Sequence, residues 1–166
     1  FSIAPGETVN FLDSANYLNL VCGGSRSEIY GTLTGAGTIY IINPNGILFG
    51  SGAQVNVGNL VASTRPIEVV ALEAFRSGED PLQAPHPLIG DIVNLGHLQA
   101  ASVVLEGKNI TIQNPADVKT ADGMAMLTNV TLRANAVGII TVGPAVGTTQ
   151  RDFVIDGTAV KKDVHD

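Results

Sequence analysis

The 166 residues carry 9 Lys and Arg against 15 Asp and Glu, a formal net charge of −6, with one cysteine, no tryptophan and 5% aromatics. This length suits one domain with a real core, and the lack of a basic cluster beyond Lys161-Lys162 argues against a nucleic-acid footprint. Cys22 alone leaves no internal disulfide or cysteine metal pair, and no apolar run reaches the roughly 18 residues of a transmembrane helix.

The apolar 45% is mostly Val, Ile, Leu and Ala, accompanied by 19 Gly and only 14% charged residues. That mixture predicts many short strands with Gly at the corners, and neither a helical bundle nor a disordered chain. Up to residue 42 the strand candidates are Val9–Leu12, Ile29–Leu33 and the strongly β-prone run Thr38–Ile42. Asn43-Pro44-Asn45-Gly46 then reads as a tight turn. Pro44 pre-sets φ at the second position, Asn45 tolerates the third, and Gly46 accepts a positive φ where the chain reverses. Ile47–Phe49 continues as a strand, and Gln54–Val57 is another, closed by Gly58. Gly35-Ala36-Gly37 leads into a strand and reads as a hairpin or corner, not as a phosphate loop.

Ile67–Phe75 is the best helix candidate, with Pro66 at its first turn and Gly78 after its end. The prolines at 81, 85 and 87 make the following stretch a loop, so residues 67–90 read as an excursion from the main body. From Asp91 a soft repeat appears. Asn94, Asn114, Asn135 and Asp156 each follow an apolar stretch, at intervals of about 20 residues. Short apolar runs fill the intervals, among them Val103–Leu105, Ile110–Ile112, Met124–Leu127 and Ile139–Val142. Such a period without helices predicts a solenoid, best a parallel β-helix with coils over 91–160 and Asn stacked on Asn at corners.

Asn43-Pro44-Asn45-Gly46-Ile47, then Phe49–Gly58 and Leu60-Val61-Ala62-Ser63-Thr64, resembles the N-terminal two-partner secretion domain of filamentous haemagglutinin-like exoproteins. Phe1–Phe11 looks like the opening segment of that family, and Gly23-Gly24, Ser27, Ile29, Gly31–Leu33 and Gly37 match the run into the turn. The match covers residues 1 to about 66. The Asn-Pro-Asn-Leu motif that many members carry upstream is absent, and Leu20, with Cys22 just beyond, stands where relatives often have Arg. The chain opens in mid-motif, so its natural N-terminus is expected to lie upstream. The resemblance implies an all-β, right-handed parallel β-helix forming a single domain over 1–166. It implies a monomeric targeting domain of a large exoprotein, passing through the periplasm to the bacterial surface. The implied partner is a TpsB-type outer-membrane β-barrel transporter with periplasmic recognition modules. Asn43, Pro44, Asn45, Gly46 and Ile47 are the expected recognition or structural motif.

No nucleophile elbow, zinc helix or dinucleotide fingerprint is present, and no catalytic residue, cofactor or metal is expected. His86, His97 and His165 are scattered and read as surface residues, Glu79-Asp80 as solvated, and Asp117 and Asp122 as flanking a turn with too few ligands for Ca²⁺. Cys22 reads as a small apolar residue in a strand. Asn109-Ile110-Thr111 and Asn129-Val130-Thr131 match the glycosylation pattern by chance, within strands. Two alternatives remain. One is an adhesive β-helix module binding host glycan or protein, for which aromatics are scarce. The other is a carbohydrate-active β-helix enzyme, which needs clustered carboxylates and a positioned Lys or Arg. Glu106, Lys108 and Arg133 are the main charges in the strand regions.

Overall fold

A computed structural model describes residues 1–66, 69–82, 87–114, 117–119, 130–134, 139–143, 154–155 and 160–161. In chain order these form β1 (Thr8–Phe11), β2 (Tyr17–Leu20), β3 (Ser27–Ile29), β4 (Thr32–Ile42), β5 (Ile47–Phe49) and β6 (Gln54–Ser63), then helix α1 (Val69–Arg76). After the helix come β7 (Ile92–Asn94), β8 (His97–Gln99), β9 (Ser102–Glu106), β10 (Ile110–Ile112), β11 (Val118–Lys119), β12 (Val130–Arg133), β13 (Ile139–Val142), β14 (Val154–Ile155) and β15 (Val160–Lys161). The fold is all-β but for this one short helix among the described residues.

Neighbouring strands along the chain repeatedly fall in different sheets. One sheet runs β1-β4-β6-β9-β12-β14, with β2 on β4, and β8 on β6 and β11. The other runs β15-β13-β10-β7-β5-β3. Every pairing between described strands is parallel. Side chains alternate across each strand, so one face of both sheets contributes to a shared core. Ile47, Ile92, Ile110 and Ile140 lie in register in one sheet, and Ile39, Leu60, Val103 and Val130 in the other, all essentially inaccessible. Phe49 is the largest fully buried side chain in this core.

The outer face of the nine-stranded sheet is covered over part of its area. Ile42, Val61 and Leu82 form a second apolar cluster there, flanked by Leu18, Leu20, Tyr40 and Val104. The Phe75 ring of α1 meets Tyr40 edge-on at 5.7 Å. The chain leaves the sheets after Ser63 and returns at Ile92, so Ser63 pairs with Glu106, 43 residues on. The excursion between them holds α1. At its end the Gly78 amide donates to Phe75 O (3.0 Å) and the Glu79 amide to Ala74 O (2.8 Å), with Gly78 at φ 82°. This left-handed cap needs glycine and closes the helix. The expected helix began at Ile67; residues 67–68 lie outside the described set, and the helix runs on to Arg76.

Several sequence expectations are corrected. The expected strand Ile29–Leu33 is broken at Tyr30-Gly31, which divides β3 from β4 and carries the chain from one sheet to the other. Gly58 does not close a strand, because β6 continues to Ser63. Gly35-Ala36-Gly37 is neither hairpin nor corner but a register shift inside β4. A Cβ on Gly37 would run into the Ala15 carbonyl oxygen, so only glycine allows this approach. Cys22 lies beyond β2 and is exposed. The asparagine repeat is not the structural register: Asn94 lies opposite Phe49 and Ile112, and its side chain bonds to the backbone of Gly96 instead of to an Asn in the next strand. Spacings near twenty do recur, as in Ser27 against Ile47 and Leu98 against Val118. The expectations for His86, Asp122, Met124–Leu127, Asn129, Asn135, Asp156, Lys162 and His165 fall outside the described residues.

Candidate functional site

The turn between β4 and β5 is built around one side chain. Asn43 is fully buried, yet it follows directly on the apolar run Ile41-Ile42. Its Nδ2 donates to Ser25 O and to Ser27 Oγ, each at 3.0 Å. Its Oδ1 accepts from the Asn45 backbone amide and from Asn45 Nδ2, again at 3.0 Å each. The Asn43 amide donates to Ser63 O (2.9 Å), and the Gly46 amide closes the turn on Asn43 O (3.1 Å). Every polar atom of this side chain is engaged, as a buried amide requires.

The rest of the motif completes the corner. Asn45 Nδ2 also reaches Gly23 O at 2.6 Å. Gly46 sits at φ 117°, where a Cβ would stand 3.0 Å from Asp91 O. The Ile47 amide donates to that same carbonyl (3.0 Å), and the Ser27 amide donates to Gly46 O (3.0 Å). Ile47 itself is 1% exposed and belongs to the core. The structure thus brings all five predicted residues into one turn and ties segments 23–27 and 91 to it. It leaves Asn45 exposed and Pro44 half-buried, with Asn43, Gly46 and Ile47 inside. A shallow trough beside the turn is lined by Arg26, Asn45, Ile89, Asp91, Lys108 and Asn109, among others. Just after β3, the Tyr30 hydroxyl donates to the Glu28 carboxylate (3.1 Å), which raises the Tyr30 pKa.

The other predicted sites are dispersed. His97 Nδ1 lies 3.0 Å from Asp117 Oδ1, half exposed, so both side chains serve a surface pair between β8 and the turn before β11. Glu79 and Asp80 are exposed, and Asp80 caps the Leu82 amide at 2.9 Å. Asn109 donates to Asp91 (2.9 Å). Among the described residues no group of three or more His, Cys, Asp or Glu could hold a metal ion, and no helix is long and apolar enough to cross a membrane.

One cluster was not legible in the sequence. Glu106 is 1% exposed and receives Arg65 Nε (3.0 Å), Arg65 Nη2 (2.9 Å), Arg133 Nη1 (2.9 Å) and Ser63 Oγ (2.8 Å). Register places Ser63, Glu106 and Arg133 on adjacent strands. Glu106 and Arg133 stand out in the sequence as charges in strand regions, but Arg65 and Glu106 are 41 residues apart, and only strand register brings them together.

The described residues thus form a parallel all-β fold whose β4–β5 corner is held by a fully hydrogen-bonded Asn43. The chain belongs to the TPS secretion domain family, whose model matches residues 1–159. It is 31% identical over 138 residues to a heme/hemopexin-binding protein of Haemophilus influenzae strain Rd, covering 78% of this chain and 15% of that protein. A second Haemophilus influenzae heme/hemopexin-binding protein is 43% identical over 53 residues, 32% of this chain and 6% of that protein. The chain therefore spans less than a sixth of the length of these relatives. No solved structure matches it significantly. It is a secretion-targeting domain of a large exoprotein; family membership implies an outer-membrane transporter as its partner and passage through the periplasm to the cell surface or beyond.

Proposed function

We propose that the Asn43–Ile47 turn is the part of this domain on which transporter-dependent secretion turns, and that the whole chain, 1–166, forms one right-handed parallel β-helix. The alternation of parallel strands between two sheets around one core supports the β-helix reading. In this reading residues 67–90 are an excursion carried on the outer face. The monomeric domain meets the periplasmic modules of a TpsB-type barrel before it has folded fully. Short strands with free backbone groups add to a sheet edge of those modules, where main-chain bonds supply affinity. The chain then threads outward, and each strand that stacks outside opposes its return. The domain performs no catalysis. The names of the relatives point to heme or hemopexin binding as the activity of the exported protein.

The observation that carries the reading is the saturation of Asn43, whose bonds organise three chain segments at once. The test is export of a reporter fused to the complete domain, with and without the transporter, for wild type and Asn43→Ala. Alanine leaves the buried Ser27 Oγ without its Asn43 partner, at about 1–3 kcal/mol, and removes the side-chain bonds to the exposed Ser25 O and Asn45 amide. Export is expected to require the transporter and to fall with Asn43→Ala. Transporter-dependent export that survives the substitution, in a domain shown by urea unfolding to be destabilised, would reduce the turn to ordinary structure.

A further inference from the structure

The Glu106 cluster adjoins the turn through Ser63, whose carbonyl accepts the Asn43 amide and whose hydroxyl donates to Glu106. We propose that Arg65, Glu106 and Arg133 form a closing lock: when the strand carrying Glu106 docks, it clamps α1 and the chain through Leu82 over the outer face of the nine-stranded sheet.

Position makes the case first. Arg65 lies two residues past Ser63, the end of β6, and immediately before Pro66, where the excursion leaves. Its side chain is 7% exposed and grips Glu106 through two nitrogens. A guanidinium is not buried without a counter-charge. Glu106 supplies such a counter-charge where the excursion begins and so favours its lying down on the sheet. Ser63, one strand over, donates to the same carboxylate, and its Oγ also accepts the Arg65 backbone amide at 3.2 Å. The carboxylate thus fixes both the side chain and, through Ser63, the backbone at the point of departure.

Packing links this lock to the excursion. The crevice between sheet and excursion is lined by Leu18, Leu20, Ile42, Leu72 and Leu82 together with Arg65 itself. The lock and the apolar contact share a wall, and while the lock is open Ile42, Val61 and Tyr40 lose their cover from Leu82 and Phe75. Register adds a check. A slip of one residue in β9 would turn Glu106 toward the interior and Leu105 outward. Pairing with Arg65 and Arg133 rejects that alternative across a 43-residue connection, where local turn chemistry gives no guidance.

The test compares Glu106→Gln, Arg65→Met and the double variant in the complete domain. Hydrogen exchange is followed in peptides covering residues 69–78 and in sheet peptides containing Ile39, Leu60 and Val103. Each single variant should speed exchange in 69–78 at least tenfold with the sheet peptides unchanged, and the double should exceed neither single. Three outcomes overturn the lock: unchanged exchange in 69–78, an equal rise in helix and sheet, or additive effects in the double. Should Glu106→Gln not fold, Arg65→Met decides alone, because Arg133 still neutralises the carboxylate. A helix left protected in that variant overturns the proposal.

Discussion

Single residues here act by satisfying the backbone around them. Asn43 places a primary amide where an apolar side chain would otherwise sit, and two donors and one acceptor make it the centre of the corner. Tyr40 works by burial. Its phenol pKa is raised above the ordinary 10.0, first by desolvation and then by the charge of Asp80. A raised folded-state pKa means the unfolded chain ionises first. The contribution of Tyr40 is therefore fully present below pH 10 and is lost as pH rises through the folded value. Urea midpoints measured from pH 8 to 11 should fall in the alkaline range, and Tyr40→Phe should flatten that fall. At this scale the turn was legible, because proline, asparagine and positive-φ glycine act on their immediate neighbours. Burial of Glu106 was not, since a carboxylate in a strand reads as exposed until its partners are known.

Among the elements, α1 shows what local signals can and cannot supply. Gly78 marked the helix end in the sequence, and the left-handed cap is there. Gly78→Ala should cost about 1 kcal/mol through strain at φ 82°, measured as a lower urea midpoint with core packing intact. The same signals did not say which surface the helix would cover. That depends on Tyr40, Ile42 and Val61, which alternate with core residues on β4 and β6 and so face outward. Strand limits were read less well where both faces are partly buried. Gly58 resembles a stop, but β6 runs through it because Gly58 faces the Gly35–Gly37 irregularity of β4, where a Cβ would collide with the Ala36 carbonyl.

Across the whole molecule, stability should follow the interior ladders. Ile92 is inaccessible and lies in register between Ile47 and Ile110. Ile92→Ala should cost about 2–5 kcal/mol, with a lower midpoint in thermal or urea unfolding, whereas alanine at exposed Leu12 should be nearly neutral. Composition, strand-forming runs and the Asn43–Gly46 turn determined the all-β class, the β4–β5 corner and the family resemblance, because each rests on residue type or on contacts within a few positions. Tertiary structure alone decided which strands pair across 20 or 43 residues, that the asparagine spacing is not the register, and that Arg65 meets Glu106. Parallel pairing has no hairpin to set it, so those neighbours are chosen by packing of the shared core, which no local stretch of sequence contains.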